Sequence, residues 1–403
     1  MHPVVFTIPW IERDIPGYGL MLMIGFLLAV WWAVSRARRS QANPDVILDL
    51  GFISLIAGVV GARAMYVVHY WDQFKHRGDA LAIAWGIVDI TRGGLEYYGG
   101  FILTVLVVPL YLRFYKKVSI RWYLDIVAPS AALGLAFGRI GCYLNGCCFG
   151  ATCELPWAVH FPFGSPAAHD QWKANRPGSA LPEQLLFTHG PGLTAPISRE
   201  NIFASEKSLQ TAIDQTATQE RTVAELRKKL DAAEGDARKP VERELKKAET
   251  KLRTAQAQFA DLRGNAEKYG MPAAEIQALA RRHHSLAVHP TQLYSTITAG
   301  LIALLLHLVY WRRTRDGQVL FLLLAIEPLA RMMLELIRAD NPVDTLGKLT
   351  ISQFLALVMT GIGIAGLIVL QRCAPRSPRA QIYVPENDED DDEAPQAEAA
   401  ASR

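Results

Sequence analysis

Gly138-Arg139-Ile140-Gly141-Cys142-Tyr143-Leu144-Asn145-Gly146-Cys147-Cys148-Phe149-Gly150 puts an arginine at the end of an apolar run and follows it with glycines, an asparagine and three cysteines. An arginine at the edge of a membrane span is costly unless it meets an anion or a water-filled pocket. Closely spaced glycines let backbone amides approach such an anion. A lipid headgroup phosphate is the anion available at that depth.

Outward from this stretch, the 403 residues are half apolar, and the apolar residues are gathered into blocks. Each block is about 20 residues long, enough to cross a bilayer. Spans are expected at about 18–34, 47–66, 97–112, 122–140, 291–311, 318–337 and 351–370. The fold class is therefore an all-α polytopic membrane protein, with about seven transmembrane helices and an extramembrane helical-hairpin insertion. The 97–112 span begins with Gly99-Gly100, which suggests a re-entrant or irregular start. The N-terminus lacks the order of a cleaved signal peptide, so the first block is expected to be a retained span. The formal charge of +3 averages regions that never meet. No basic patch with interleaved aromatics occurs, which argues against a nucleic-acid partner.

Basic residues follow alternate spans: Arg36, Arg38 and Arg39; Arg113, Lys116, Lys117 and Arg121; Arg312, Arg313 and Arg315; Arg372, Arg376 and Arg379. The positive-inside rule then puts the N-terminus outside and the C-terminus in the cytoplasm, although Lys75, Arg77 and Arg92 lie on the opposite side. Four regions result: 1–164 with the first four spans, 165–285 as an outer-side insertion, 286–372 with the last three spans, and 373–403 as an acidic cytoplasmic tail. In the insertion, Val241, Leu245, Ala248, Leu252, Ala255, Phe259 and Leu262 recur as a heptad seam. Val223, Leu226, Leu230 and Ala233 form a similar pattern before it. Gly235 and Pro240 between them suit a helix stop and a new first turn. An antiparallel hairpin and two loosely packed helices both fit. The run 386–393 is almost wholly acidic, as in solvated tails.

Polar groups lie at membrane depth in five places: Tyr18 at the mouth of the first span; Arg63 in the second; Arg92 to Gly100, with Tyr97 and Tyr98; Arg139 with Asn145 and Gly146; and Glu327, Arg331, Glu335, Arg338 and Asp340 on the sixth. Singly, each has a plain structural explanation. Arg331 and Glu335 are four apart and can pair along a helix, Arg63 can snorkel, and the tyrosines can be interfacial belt residues. Together they hold more arginine than nearby carboxylate balances, which points to a bound anion. His289-Pro290-Thr291-Gln292 opens the fifth span with a rigid entry and polar groups. The cysteines Cys142, Cys147, Cys148 and Cys153 admit three readings: a metal site, although the C-x4-C-C-x4-C spacing departs from the usual pairs; a disulfide, if outside the cytoplasm; or a nucleophile beside Arg139.

With these residues in order, the chain resembles the prolipoprotein diacylglyceryl transferases over nearly all its length except the insertion and the tail. The similarity is carried by Gly138-Arg139-Ile140-Gly141 with Asn145-Gly146, by His289-Pro290-Thr291-Gln292-Leu293-Tyr294, by Gly17-Tyr18-Gly19-Leu20, by Gly61-Ala62-Arg63, by Gly93-Gly94 with Gly99-Gly100, and by Arg331 with Glu335 and Arg338. The resemblance implies a multi-pass protein of the bacterial cytoplasmic (inner) membrane. It implies transfer of the diacylglyceryl group of phosphatidylglycerol to the lipobox cysteine of a preprolipoprotein signal peptide. Partners are then phosphatidylglycerol, that peptide, membrane lipid and an unknown outer-side protein on the insertion. Arg139, Arg331 and Tyr98 are the expected catalytic residues. Arg139, Tyr18, Arg63, Asn145, Gly146, His289, Gln292, Glu335 and Arg338 are the expected substrate-binding residues. No metal or other cofactor is implied. Tyr98, Cys142, Cys147 and Glu327 stand where the family usually has histidine, asparagine, glutamate and an aromatic residue, which leaves the base as Tyr98 or Glu327. The alternatives are a lipid-binding transporter and an inactive membrane scaffold of the same fold.

Overall fold

A computed structural model of the chain describes residues 4–8, 13–75, 80–90, 93–189, 193–232, 238–339 and 349–377. Arg92, Ala233, Gly235, Asp340 and the acidic run lie outside the described residues. The apolar blocks form α1 (Gly17–Arg39), α2 (Pro44–His69), α3 (Tyr97–Leu110) and α4 (Ile120–Asn145). The insertion contributes α5 (Glu206–Ala232) and α6 (Arg238–Ala257). The last three blocks form α7 (Thr291–Arg312), α8 (Gln318–Glu335) and α9 (Ile351–Cys373). Seven helices thus stand where seven spans were expected. Among the described residues, six are long and apolar enough to cross a membrane. The seventh is α8, whose 18 residues include Glu327, Arg331 and Glu335. The protein is a polytopic helical membrane protein.

Two helix ends differ from expectation, each for a physical reason. α4 runs on to Asn145, so Cys142 and Asn145 sit on its last turn rather than in a loop. The stop comes at Gly146, whose φ of +78° suits a residue without Cβ. α3 is helical from Tyr97, and Gly99 and Gly100 are buried within it rather than breaking it. They serve packing. A Cβ on Gly99 would lie 2.3 Å from the Gly61 carbonyl oxygen, and one on Gly100 would lie 2.5 Å from that of Gly58. Glycine on both helices lets α2 and α3 touch backbone to backbone. The irregularity is at the far end of α3, where Pro109 precedes a π-helical turn at Tyr111–Tyr115.

The chain forms two compact units. One comprises Gly19–Ile140, Tyr294–Leu336 and Val343–Arg403. Its core joins Ala33, Ala37, Ile47, Val108, Ile126, Leu306 and Val319 from six of the helices. Two arginines expected in cytoplasmic loops are buried there instead. Arg36 is 1% exposed, donates to the Ile126 carbonyl and Ser130, and stacks on Trp32 with its guanidinium carbon 4.5 Å from the ring centroid. Arg313 donates to the Tyr310 carbonyl at 2.7 Å and lies 3.7 Å from Asp125. Fully buried Asp125 on α4 accepts from the amides of Gly317 (2.7 Å) and Leu320 (2.8 Å). It therefore caps α8 from a neighbouring helix, since the N-cap residue Gly317 has no side chain to do so. α9 packs on α8 through Gly363 and Gly366, where a Cβ would strike the Ala325 amide nitrogen and the Phe321 ring.

The other unit comprises Met1–Tyr18, Gly141–Leu293 and Ile337–Pro342. It contains two antiparallel hairpins, β1 (Val4–Ile8) with β2 (Arg13–Pro16) and β3 (Leu186–His189) with β4 (Leu193–Pro196). α5 and α6 lie antiparallel, tied by Arg227 to Glu249 (2.8 Å), Gln256 to Glu220 (3.3 Å) and Thr216 to the Ala255 carbonyl (3.4 Å). Val223, Ala248 and Ala255 are buried along the seam. The seam ends sooner than the heptads suggested. Phe259 has φ +55°, and Leu262 belongs to the next helix, packed with Phe163, Leu185, Ile197 and Ile276.

Two outcomes test this packing. Gly99→Val should cost about 3 kcal/mol or more through overpacking against backbone, whereas Gly300→Ala, where a Cβ meets nothing within 4 Å, should be neutral. Thermal unfolding of both variants in detergent measures the difference. Asp125→Ala should cost about 3–5 kcal/mol, because Arg313 loses its buried partner. The paired change Asp125→Ala/Arg313→Met should recover part of that loss in the same assay.

Candidate functional site

Within the membrane-helix unit, the α4–α8 anchor sets depth. Arg139 lies fourteen residues beyond Asp125, and Arg331 fourteen beyond Gly317, the residue that Asp125 holds. At 1.5 Å per residue each guanidinium-bearing position is about 21 Å along its helix from the shared anchor. Both helices start at that end, so the two arginines arrive at one level. Accordingly, Glu327 is within electrostatic range of both Arg331 and Arg139. Tyr97 is within range of Arg331, Glu327, Arg139 and Tyr98. Tyr98 lies edge-on to Tyr97, with ring centroids 5.9 Å apart. Tyr97, a belt residue on the sequence pattern alone, thus joins the charged group. Its place one residue before Tyr98 at the start of α3 was the available signal.

The arginines divide by partner. Arg63 is occupied: its Nε donates to Ile87 O (2.8 Å), Nη1 to Gly93 O (2.8 Å) and Gly94 O (2.9 Å), and Nη2 to Gly86 O (2.7 Å). It shapes the 86–94 segment, and its donors are not free for a phosphate. Glycine at 94 is required there, since a Cβ would lie 2.7 Å from Arg63 Nη1 and φ is +78°. Glu96, which precedes Tyr97, is fixed by its amide to the Ala62 carbonyl (3.0 Å) and by its carboxylate to His69 (2.9 Å).

Arg331 is different. Its Nε is buried and meets no acceptor among the described residues. Glu335, four residues further along the helix, is buried and has a partner of its own. For Arg139 no ion pair within 4.0 Å is found among the described residues. Arg313 and Arg315 also carry an unbonded Nε, but each guanidinium is held elsewhere, Arg313 as above and Arg315 by the Leu370 carbonyl. A buried guanidinium N–H without an acceptor is expensive. Arg139 and Arg331, with Glu327 in electrostatic range of both, are the kind of grouping suited to binding an anion.

The remaining expected site residues belong to the other unit. Tyr18 packs on Gly141, whose Cβ would lie 3.0 Å from the Tyr18 ring. Asn145 ends α4 and Gly146 turns the chain. Gln292, fully buried, donates from Nε2 to the Cys147 carbonyl (2.7 Å), and Thr291 donates to the Cys148 carbonyl (2.6 Å). His289 joins a short ladder through its own backbone, its amide to Ala151 O and its carbonyl to Gly150 N, both 3.0 Å. Arg338 pairs with Gly150 as an antiparallel bridge. His289 to Gln292 thus brace the 147–151 segment. All five cysteines are free thiols, and the Sγ atoms of Cys142, Cys147 and Cys148 lie within 4.8 Å of one another.

Comparison with known proteins fits this arrangement. The family model for prolipoprotein diacylglyceryl transferase matches residues 3–196 and 256–369, leaving out α5 and most of α6. A phosphatidylglycerol–prolipoprotein diacylglyceryl transferase of Rhodopirellula baltica is 37% identical over 162 residues, 38% of this chain and 31% of that protein. Those of Finegoldia magna and Clostridium tetani are 36% and 34% identical, over 40% and 42% of this chain and 60% and 65% of theirs. The aligned stretch thus spans about a third to two thirds of these relatives. On the extent of the family match, the chain belongs to the prolipoprotein diacylglyceryl transferase family.

Proposed function

We propose that this protein transfers the diacylglyceryl group of phosphatidylglycerol to the lipobox cysteine of a preprolipoprotein. The observation that carries this reading is the buried Arg331 Nε, without an acceptor among the described residues, at the level of Arg139, for which no ion pair is found among the described residues. The substrate thiol loses its proton and its sulfur attacks the glyceryl carbon. That carbon's bond to the phosphate oxygen breaks, a thioether forms, and glycerol phosphate leaves with the electron pair. A thiol with a reference pKa of about 8.5 supplies thiolate without strong help. Leaving-group departure is the harder half. Arg139 and Arg331 clamp the phosphate and offset the charge that grows on its bridging oxygen, an effect magnified where water is excluded. Of the two proton acceptors on offer, the charge neighbourhood favours Glu327, since a phenol with a reference pKa near 10 is a poor base. Tyr97 and Tyr98 line the approach. Tyr18, Asn145, Gly146, His289 and Gln292 are kept as proposed substrate-binding residues.

The same reading puts the protein in the bacterial inner membrane, with the N-terminus and the insertion outside and the C-terminus in the cytoplasm, as the basic flanks favour. The α5–α6 hairpin is then a surface offered to an outer-side protein.

In membranes given labelled phosphatidylglycerol and a lipobox peptide, Arg139→Ala and Arg331→Gln should each lower transfer by about 100-fold or more. Arg331→Lys should recover little, because an ammonium cannot replace a planar fork. Wild-type transfer by Arg139→Ala removes the clamp, and lipid translocation without thiol modification favours a transporter. In the same assay Glu327→Gln should slow transfer more than Tyr98→Phe. The reverse order assigns the proton to Tyr98.

A further inference from the structure

The cysteine cluster is not used by the transfer chemistry, and its geometry is that of a ligand set. Cys142 lies on the last turn of α4, and Cys147 and Cys148 follow the helix stop at Gly146. The three Sγ atoms lie within 4.8 Å of one another, all half-buried, and the Cys142 thiol is within hydrogen-bonding reach of both others. Three thiolates around a tetrahedral zinc, with Zn–S near 2.3 Å, stand about 3.8 Å apart. Closing the triangle therefore takes about 1 Å at most.

The surroundings hold this arrangement in place. Cys148 adopts φ +59°, a left-handed conformation uncommon for a residue with a Cβ. The carbonyls on either side of that strained peptide are gripped by Gln292 and Thr291, both nearly inaccessible to solvent. The Asn145 side chain reaches the Cys147 sulfur, as an outer ligand steadying a metal-bound thiolate would. Cys153, five residues on from Cys148, is not in the group. A disulfide would join two of the three sulfurs and strand the third, whereas one soft cation engages all three.

We propose that Cys142, Cys147 and Cys148 bind one thiophilic divalent cation of the zinc type, with one coordination position left for water. On binding, the three thiols release their protons to solvent as three S–metal bonds form, with no change in oxidation state. The site pins the C-terminal end of α4 to the following loop. It does not depend on the proposed transferase reaction.

The test uses the full-length protein in detergent, stripped of metal under reducing conditions and titrated with Zn2+ alone. One zinc per chain should bind. Three of the five thiols should become at least tenfold slower to alkylate, and Co2+ in place of Zn2+ should give a thiolate-to-metal charge-transfer band. Cys142→Ser, Cys147→Ser and Cys148→Ser should each weaken binding at least tenfold, with Cys153→Ser and Cys373→Ser within twofold of the parent. The proposal is overturned by absence of zinc uptake in the parent protein. It is equally overturned by uptake that persists in the triple serine variant, or by a disulfide joining two of the three sulfurs in protein prepared without reductant. The alkylation rates of the parent protein keep the test decisive even where a variant fails to fold.

Discussion

A single carboxylate in the apolar interior sets the depth of the chemistry. Asp125 takes two amides at the start of α8 and faces Arg313, so the helix that carries Arg331 is tied by its first turn to the helix that carries Arg139. Inside a membrane-spanning bundle the first-turn amides of a helix have no water to turn to, and a cap supplied by a neighbour is worth more than at a surface. Because the two chains of residues measured from this anchor are equal in length, the arginines reach the same level without any direct contact between them. The anchor also explains why α8 tolerates Gly317 at its N-cap, a position with φ +98° and no capping side chain of its own.

The other buried arginines act as internal controls. Arg36, Arg63 and Arg313 are each supplied with carbonyls, a hydroxyl, an aromatic face or a carboxylate, as membrane burial of a guanidinium demands. The fold is therefore able to satisfy an arginine wherever it needs one for structure. Against that background, Arg331 Nε without an acceptor and Arg139 without an ion pair among the described residues are what support the proposed anion site. The glycine contacts between α2 and α3 serve the same end by another route. They bring Tyr97 and Tyr98, at the start of α3, beside the charged group while Arg63 ties down the segment that leads to it.

Much of this was legible in the residues. Block length and apolarity gave all seven helices, including α8 in spite of its charges, because a bilayer requires about the same run whatever fills it. The heptads gave the α5–α6 pair, since seam burial is a local property. What sequence could not separate was the purpose of each polar residue. Gly99-Gly100 read as a helix breaker and proved a contact surface, because glycine serves both and only a neighbouring backbone decides between them. Arg36 and Arg313 read as loop charges, and Arg63 as a phosphate ligand, because an arginine's partners are set by helices distant in sequence. Asp125 went unremarked for the same reason: its partners Gly317 and Leu320 lie nearly two hundred positions away. Gln292 and His289 were expected to face a pocket, whereas Gln292 and the His289 backbone brace the cysteine segment.

The central claim is that a headgroup phosphate is the missing acceptor for Arg139 and Arg331. The most direct measurement is an experimental structure of the protein in bilayer discs of phosphatidylglycerol, at a resolution that places the phosphate. The account predicts phosphate oxygens within hydrogen-bond distance of Arg331 Nε and of the Arg139 guanidinium, with Glu327 beside them. Arg331 Nε bonded to a protein carbonyl or carboxylate, with no lipid phosphate near either arginine, would contradict it.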